Sequence, residues 1–135
     1  MTHQITIRVY YEDTDLAGVV YYANYLRFIE RARTEALRDL GIDQAALKRE
    51  RGLVFVVCRL TIDYLAPAVF DDLLEVRTRV TRLRGASLEM AQEVWRGETC
   101  LCRAAVTIAC MGAAGRPQRL PGDVRVALAR LEAGE

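Results

Sequence analysis

Residues Ala23 to Gly41 read ANYLRFIERARTEALRDLG, and their apolar positions repeat at helical spacing. Tyr25, Ile29, Ala32, Ala36 and Leu40 follow one another at steps of four, three, four and four, which puts them on one face of a single helix. Charges fill the other face, Arg31 and Glu35 are spaced to pair across one turn, and Gly41 offers the left-handed residue that ends many helices. This is the longest helix in the chain, and its apolar stripe needs a cover.

The cover is read from what flanks it. Downstream, GLVFVVCRLTIDY (52–64) is rich in β-branched and aromatic residues and predicts a long strand, closed by Pro67. Three further runs, Leu73–Leu83, Ser87–Arg96 and Thr99–Met111, are separated by Arg84-Gly85-Ala86 and by Gly97-Glu98, both of hairpin length. In LEVRTRV, Leu74, Val76, Thr78 and Val80 face one way and Glu75, Arg77 and Arg79 the other, the pattern of a sheet buried on one side. Upstream, Ile5–Tyr11 alternates before the polar EDTD cluster, so a strand runs into a loop. Asp43 caps a short helix through about Glu50, and residues from about 123 read as a turn-rich tail with a frayed helix from Val124. The order predicts an α+β fold, one long central helix packed on an antiparallel sheet of about five strands, as a single domain over residues 1–135.

Composition narrows the function. A chain of 135 residues with 52% apolar and 27% charged side chains buries one core, while a deep cleft calls for a second subunit. Nineteen basic against eighteen acidic residues leave a net charge of +1, and no aromatic-studded basic stripe offers itself to nucleic acid. Cys58, Cys100, Cys102 and Cys110 include no CxxC pair and have no histidine nearby, so no metal site is expected. Cys100 and Cys102 have the period of one strand face and read as reduced packing residues, which fits a reducing cytoplasm. The N-terminus lacks a signal-like pattern and no run is long enough to span a membrane, so the expected location is cytoplasmic.

The segment Val9–Tyr25, VYYEDTDLAGVVYYANY, holds three acids and five tyrosines, and the chain's one histidine, His3, lies at a terminus expected to be mobile. Glu12, Asp13 and Asp15 can be read as loop acids that cap turns, and Tyr21, Tyr22 and Tyr25 as half-buried packing residues. A second reading starts from position: the acid cluster and a glycine-bearing loop come just before the N-terminus of the longest helix. Free N–H groups and the positive end of the helix dipole stabilise charge developing on a carbonyl oxygen, and a carboxylate beside them can attack or activate water. No acid is evident to protonate an amine leaving group. A thioester fits better, because its thiol has a pKa of roughly 8.5, like that of cysteine, and leaves as thiolate with little help.

The segment YYEDTDLAGVVYYANYLRFIERAR, with LTIDYLAPAVFDDLLEV and RLRGASL after it, resembles the hotdog-fold acyl-CoA thioesterases of the 4-hydroxybenzoyl-CoA thioesterase group, and in particular the bacterial Tol-Pal-associated members. The likeness covers about residues 5 to 122. It implies a hotdog fold that pairs into a homodimer or homotetramer with active sites between protomers, hydrolysing a small acyl- or aroyl-CoA. It implies Asp15 as the catalytic carboxylate, with Asp13 organising the loop, and Tyr22 at the carbonyl-polarising turn formed with Gly18, Val19, Tyr21 and Asn24. The Tol-Pal-associated members usually carry histidine where this chain has Tyr22, whereas tyrosine matches the 4-hydroxybenzoyl-CoA enzymes. A phenol is no base at neutral pH, but it can orient water or touch the acyl group.

Arg84 falls where relatives hold the nucleotide phosphates of coenzyme A, with Arg82, Arg116 and Arg119 as further candidates; solvated hairpin arginines are the plain alternative for Arg116 and Arg119. Asp63, Tyr64 and Pro67 match the family's DY-x-x-P and are read as structural. Coenzyme A enters as part of the substrate, so no separate cofactor is expected, and acyl carrier protein is an alternative acyl donor. The competing reading is a non-catalytic acyl-CoA or acyl-carrier-protein binding module; a hotdog dehydratase would need a histidine in the site.

Overall fold

The computed structural model describes residues 1–132 as a five-stranded antiparallel sheet folded about one long helix. The elements in chain order are β1 (His3–Arg8), α1 (Asn24–Asp39), α2 (Gln44–Ala46), β2 (Val54–Tyr64), β3 (Leu73–Leu83), β4 (Ser87–Arg96), β5 (Thr99–Met111) and α3 (Gly122–Ala129). The strands lie in the order β1-β3-β4-β5-β2, so β1 and β2 are the two edges. This is the α+β arrangement expected from the pattern of periods, in the hotdog form that the family resemblance implied.

Helix α1 buries Tyr25, Phe28, Ile29, Ala32, Ala36 and Leu37, with Leu40 just beyond it. The predicted stripe is therefore present, and Phe28 and Leu37 widen it to the breadth a sheet requires. Its C-terminus closes in a Schellman motif. Gly41 takes φ 84°, its N–H donates to Arg38 O at 3.0 Å, and the Ile42 N–H donates to Leu37 O at 2.9 Å. Across the helix surface Glu35 accepts from Arg38 at 2.5 Å, not from Arg31. Spacing allows either partner, and the i, i+3 geometry takes this one.

The inward positions of β3, Leu74, Val76, Thr78 and Val80, are buried as the alternation predicts. Buried among these apolar side chains, Gln92 of β4 has its polar atoms satisfied. Its Nε2 donates to Ile29 O (2.8 Å) and Thr78 Oγ1 (2.9 Å), and its Oε1 accepts from Arg33 Nη1 (3.0 Å). Three hydrogen bonds thus tie the middle of α1 to β3 and β4, and an apolar residue in place of Gln92 would leave those partners stranded.

Several sequence expectations change in three dimensions. Strand β1 ends at Arg8, and Tyr11–Asp13 form a 3₁₀ turn, because Asp13 Oδ2 takes the Tyr10 N–H at 2.8 Å and bends the chain away. A bulge sets Trp95 opposite Cys100 and Val94 opposite Cys102, so the two cysteines fall on opposite faces with Leu101 as the extra residue. Of these two, Cys102 is the one buried with the core, where burial pushes its thiol up to about 12. His3 is not in a mobile terminus: it lies in β1 with Nε2 2.7 Å from Asp39 Oδ2 at the far end of α1. Residues from 123 are not a loose tail, since Val124 and Leu128 of α3 and then Leu131 are buried, and Val80 N donates to Leu131 O at 2.8 Å. Residues 133–135 of that segment lie outside the described residues.

Candidate active site

The loop between β1 and α1 is built by its acids and one glycine. Asp15 N donates to Val19 O (2.9 Å), the Asp15 carboxylate accepts from Ala17 N (3.0 Å), and its carbonyl accepts from Gly18 N (3.0 Å). Gly18 sits at φ 84°, where a side chain would strain the backbone although nothing crowds the space beside it. The result is a tight reverse turn, held on both sides by the bridges Thr14–Val20 and Val19–Val69. Asp15 is exposed at this turn.

Asp13 is the buried acid, 7% exposed. One carboxylate oxygen takes the Tyr10 N–H and the other takes Asn24 Nδ2 at 2.8 Å, while the Asp13 carbonyl accepts from Tyr21 N at 2.9 Å. Asp13 therefore knots the loop to the first residue of α1. The Asn24 amide, read from the sequence as facing substrate, is engaged in that knot.

The start of α1 carries no side-chain cap, and Ala23 stands at the N-cap. Among the described residues the backbone N–H groups of Tyr22 and Ala23 donate to nothing, whereas Tyr21 and Asn24 N–H are both spent. Two free donors at the positive end of a sixteen-residue helix make a place for an oxyanion.

Tyr22, 62% exposed, belongs to an aromatic group. Its ring lies 5.0 Å from Tyr21 and 6.1 Å, edge to face, from Tyr64, and Tyr64 lies 5.5 Å from Tyr25. Tyr22, Tyr25 and Tyr64, with Val20, Leu65 and Pro67, line a depression of about 260 Å³ at the helix N-terminus. Tyr64 Oη donates to Tyr22 O at 2.9 Å, the carbonyl of the peptide unit whose N–H belongs to Ala23. Burial raises the Tyr64 phenol above its ordinary value, so it stays a donor at neutral pH. Tyr25 Oη accepts from the buried Ala68 N–H at 3.0 Å, and its phenol is also raised, mainly by burial. Sequence reading gave Tyr64 a structural part and missed its place in this depression; a Tyr at the end of a strand carries no signal that it meets a helix 42 residues earlier.

Asp15, Gly18, Val19, Tyr21, Tyr22 and Asn24 thus come together around one end of the sheet. The arginines do not. Arg84 sits at the β3–β4 hairpin, where its Nε and Nη2 donate to Glu89 at 3.1 and 2.9 Å, and Gly85 O accepts from Leu120 N. Arg119 reaches the same tip, since a Cβ on Gly85 would meet its Nη1 at 3.8 Å. Arg82 faces Glu89 across the ladder, and the Arg116 carbonyl closes the turn after β5 by accepting from Gly112 N at 2.8 Å. From the Val94–Cys102 pair near the tyrosines to the Ser87–Ala109 pair near this hairpin the ladder runs about 23 Å. Within one chain, Arg84 and Asp15 belong to opposite ends of the sheet.

An acid-bearing turn thus stands at a helix N-terminus, beside an aromatic depression on a hotdog sheet. A family model of the Thioesterase superfamily matches residues 17–103. The acyl-CoA thioesterase YbgC of Haemophilus influenzae is 46% identical over 127 residues, covering 93% of each chain. The acyl-CoA thioester hydrolase YbgC of Escherichia coli is 47% identical over 120 residues, covering 87% of this chain and 89% of its own. A probable thioesterase from Bartonella henselae superposes with a TM-score of 0.86 at 44% identity, covering 90% of this chain and 100% of that one. The chain belongs to the Thioesterase superfamily.

Proposed function

We propose that this protein is an acyl-CoA thioesterase that hydrolyses a small acyl- or aroyl-CoA to free acid and coenzyme A, with Asp15 as base or nucleophile. One observation carries the assignment of roles: the exposed Asp15 turn and the unspent Tyr22 and Ala23 N–H groups flank the same helix N-terminus. The thioester carbonyl oxygen accepts from those donors. Asp15 either takes a proton from water as it attacks the carbonyl carbon or attacks that carbon itself to give an anhydride that water then opens. The tetrahedral intermediate expels coenzyme A as thiolate, and the helix dipole favours the passing negative charge. Tyr22 and Tyr64 face the acyl group. Acyl carrier protein is the alternative donor, presenting the same thioester.

The assembly belongs to the same reading. Strand β2 is an edge with Val56 and Val57 exposed, a surface that a second copy covers well. Antiparallel pairing of two β2 strands about a two-fold axis sets the Tyr64 end of one beside the Val54 end of the other. The Val54 end is the end that carries the hairpin of Arg84 and Arg119, since Val54 pairs with Met111 and Ala86 O accepts from Cys110 N. A second copy would bring to the Asp15 site the arginines that one chain keeps away from it, where they suit coenzyme A phosphates. Among the described residues no helix is long and apolar enough to cross a membrane, and all four cysteines are free, which supports a reducing cytoplasm as the location.

Thiol release across a panel of aliphatic and aromatic acyl-CoA substrates tests the activity, with Asp15→Asn as the control on mechanism. The variant should lose about 10²- to 10⁴-fold in kcat while binding substrate. Turnover within about threefold of the parent would remove Asp15 from the chemistry. A flat response over the whole panel would favour the binding-module reading.

A further inference from the structure

The Asp15 turn leans on a second loop, Pro67–Asp72, which joins β2 to β3. Val20 N donates to Ala68 O at 2.8 Å, and Val19 bridges Val69. Asp15 N in turn donates to Val19 O at 2.9 Å, so Val19 links Asp15 to its support.

The supporting loop is held from outside. Asp71 stands at φ 72°, in the left-handed region that a side chain resists, and such a conformation persists where the surroundings fix it. Three groups do so. Tyr25 Oη, from the first turn of α1, accepts from Ala68 N at 3.0 Å. At the far end Asp71 N donates to Val9 O and Val9 N to Asp72 O, both at 2.9 Å. Arg96, the last residue of β4, spans the loop: its Nη1 donates to Pro67 O at 3.1 Å and to Asp72 Oδ2 at 2.8 Å. The same Asp72 oxygen accepts the N–H of Val69, the residue that bridges Val19, at 2.9 Å.

One guanidinium nitrogen therefore ties the two ends of the loop together. An ion pair in open water would contribute little, but the Asp72 side chain is only 19% exposed and its other partner is a backbone N–H. What the clamp fixes is position. It stands directly behind the turn that displays Asp15, and Arg96 itself is no part of the aromatic depression's lining.

We infer that Arg96 is a positioning residue for thioester hydrolysis: through Asp72, Val69 and Val19 it sets where the Asp15 carboxylate stands relative to the Tyr22 and Ala23 N–H groups. The step to hydrolysis rests on the thioesterase reading of Asp15, whereas the clamp does not. A reacting group displaced by about 1 Å can lose on the order of 10²-fold in rate, which gives a remote clamp a large lever on turnover.

The test pairs hydrogen exchange with kinetics on Arg96→Gln in the full chain. Residue-resolved exchange, measured without substrate, should quicken by about tenfold or more at the Asp15 and Val20 amides, while Met90 and Val106 at the centre of the sheet keep the parent's protection. With the best acyl-CoA, kcat should fall roughly ten- to a hundredfold and KM stay within about twofold. Arg96→Lys should restore kcat to within about threefold, because a single nitrogen makes both bonds and an ammonium can make them too. Asp72→Asn keeps an acceptor for Val69 N–H but loses the charge, and it should reproduce both effects, so it decides the matter if Arg96→Gln does not fold. Unchanged exchange at Asp15 and Val20 would overturn the proposal, as would an equal rise at Met90 and Val106, which marks a loss of global stability only. Parent-like kcat in Arg96→Gln beside an inactive Asp15→Asn would overturn it while leaving the thioesterase reading intact. Were no thioester hydrolysed by the parent, that reading would fail, and the exchange pattern alone would uphold or overturn the clamp on the Asp15 turn.

Discussion

Asp13 and Asn24, eleven residues apart in sequence, are joined by a 2.8 Å hydrogen bond that ties the acid-bearing loop to the first turn of α1. The other Asp13 oxygen holds the Tyr10 N–H, so one buried carboxylate fixes both ends of the segment that displays Asp15. Two acids with one residue between them therefore stand in different settings: one is buried with both oxygens engaged, the other is exposed at the turn.

Asp13→Asn should accordingly lower stability more than turnover. Tyr10 N–H and the Asn24 amide donate to different Asp13 oxygens, and an amide keeps an acceptor at only one of those two positions; stranding one buried donor costs about 1–3 kcal/mol. Thermal unfolding monitored by circular dichroism should show a reduced Tm, with kcat per folded molecule far closer to the parent than that of Asp15→Asn. An Asp13→Asn protein that keeps its Tm and loses turnover would exchange the roles of the two acids.

Tyr64→Phe removes the donor to Tyr22 O while keeping the ring that packs on Tyr22 and Tyr25. The peptide unit bearing the Ala23 N–H is then less firmly oriented. One neutral hydrogen bond of about 0.5–1.5 kcal/mol, felt in the transition state, corresponds to roughly a two- to tenfold fall in kcat. KM should hardly change, since the aromatic surface is intact. A rise in KM at constant kcat would make Tyr64 a binding residue only.

Arg84→Ala should raise KM for coenzyme A thioesters more than it lowers kcat, because a contact to a remote phosphate is made equally in ground and transition states. The hairpin itself should survive, as the Arg84–Glu89 pair is exposed and contributes little to stability. Steady-state kinetics with acyl-CoA, compared with an acyl-pantetheine lacking the nucleotide, separates the two parameters. An unchanged KM for acyl-CoA would leave Arg84 a surface residue.

Val56→Lys tests the edge of the sheet. A charge on an apolar edge strand opposes pairing with another copy. The parent should show at least a dimeric mass by light scattering, and the variant should shift toward monomer and lose turnover together, since the hairpin arginines are then withdrawn. A parent that is monomeric at micromolar concentration yet fully active would end the two-copy reading of the site.

Asp123 carries the clearest pH signature. Arg51 donates to both of its oxygens, at 3.1 and 2.9 Å, and these hydrogen bonds lower its pKa below the ordinary 3.8. A carboxylate with a depressed folded pKa adds stability above its unfolded value and loses that stability as pH falls through the folded one. Asp123→Asn should therefore lower Tm at pH 7, with the difference from the parent shrinking as the pH drops below 3.8. The pair is exposed, so the effect is small and sensitive to salt. A difference that grows on acidification would contradict the assignment.

The sequence by itself determined the elements and their periods. Positions of burial along α1 and β3 follow from 3.6- and two-residue repeats, and the bounds of β3, β4 and β5 follow from where turn residues interrupt apolar runs. That Asp13 organises the loop was legible through family likeness, and its hydrogen bonds supply the physical reason. Other features were decided only by tertiary structure, because they depend on which segments meet. The bulge that turns Cys100 away from Cys102, the choice of Arg38 over Arg31 by Glu35, and the anchoring of His3 on Asp39 each need a partner that spacing does not name. Tyr64 reaches Tyr22 because the end of β2 returns to the start of α1, and the arginines lie about 23 Å from the tyrosine end of the ladder because strands are stiff and straight over seven residues. Local periodicity sets which face a residue shows; only the packed chain sets what that face meets.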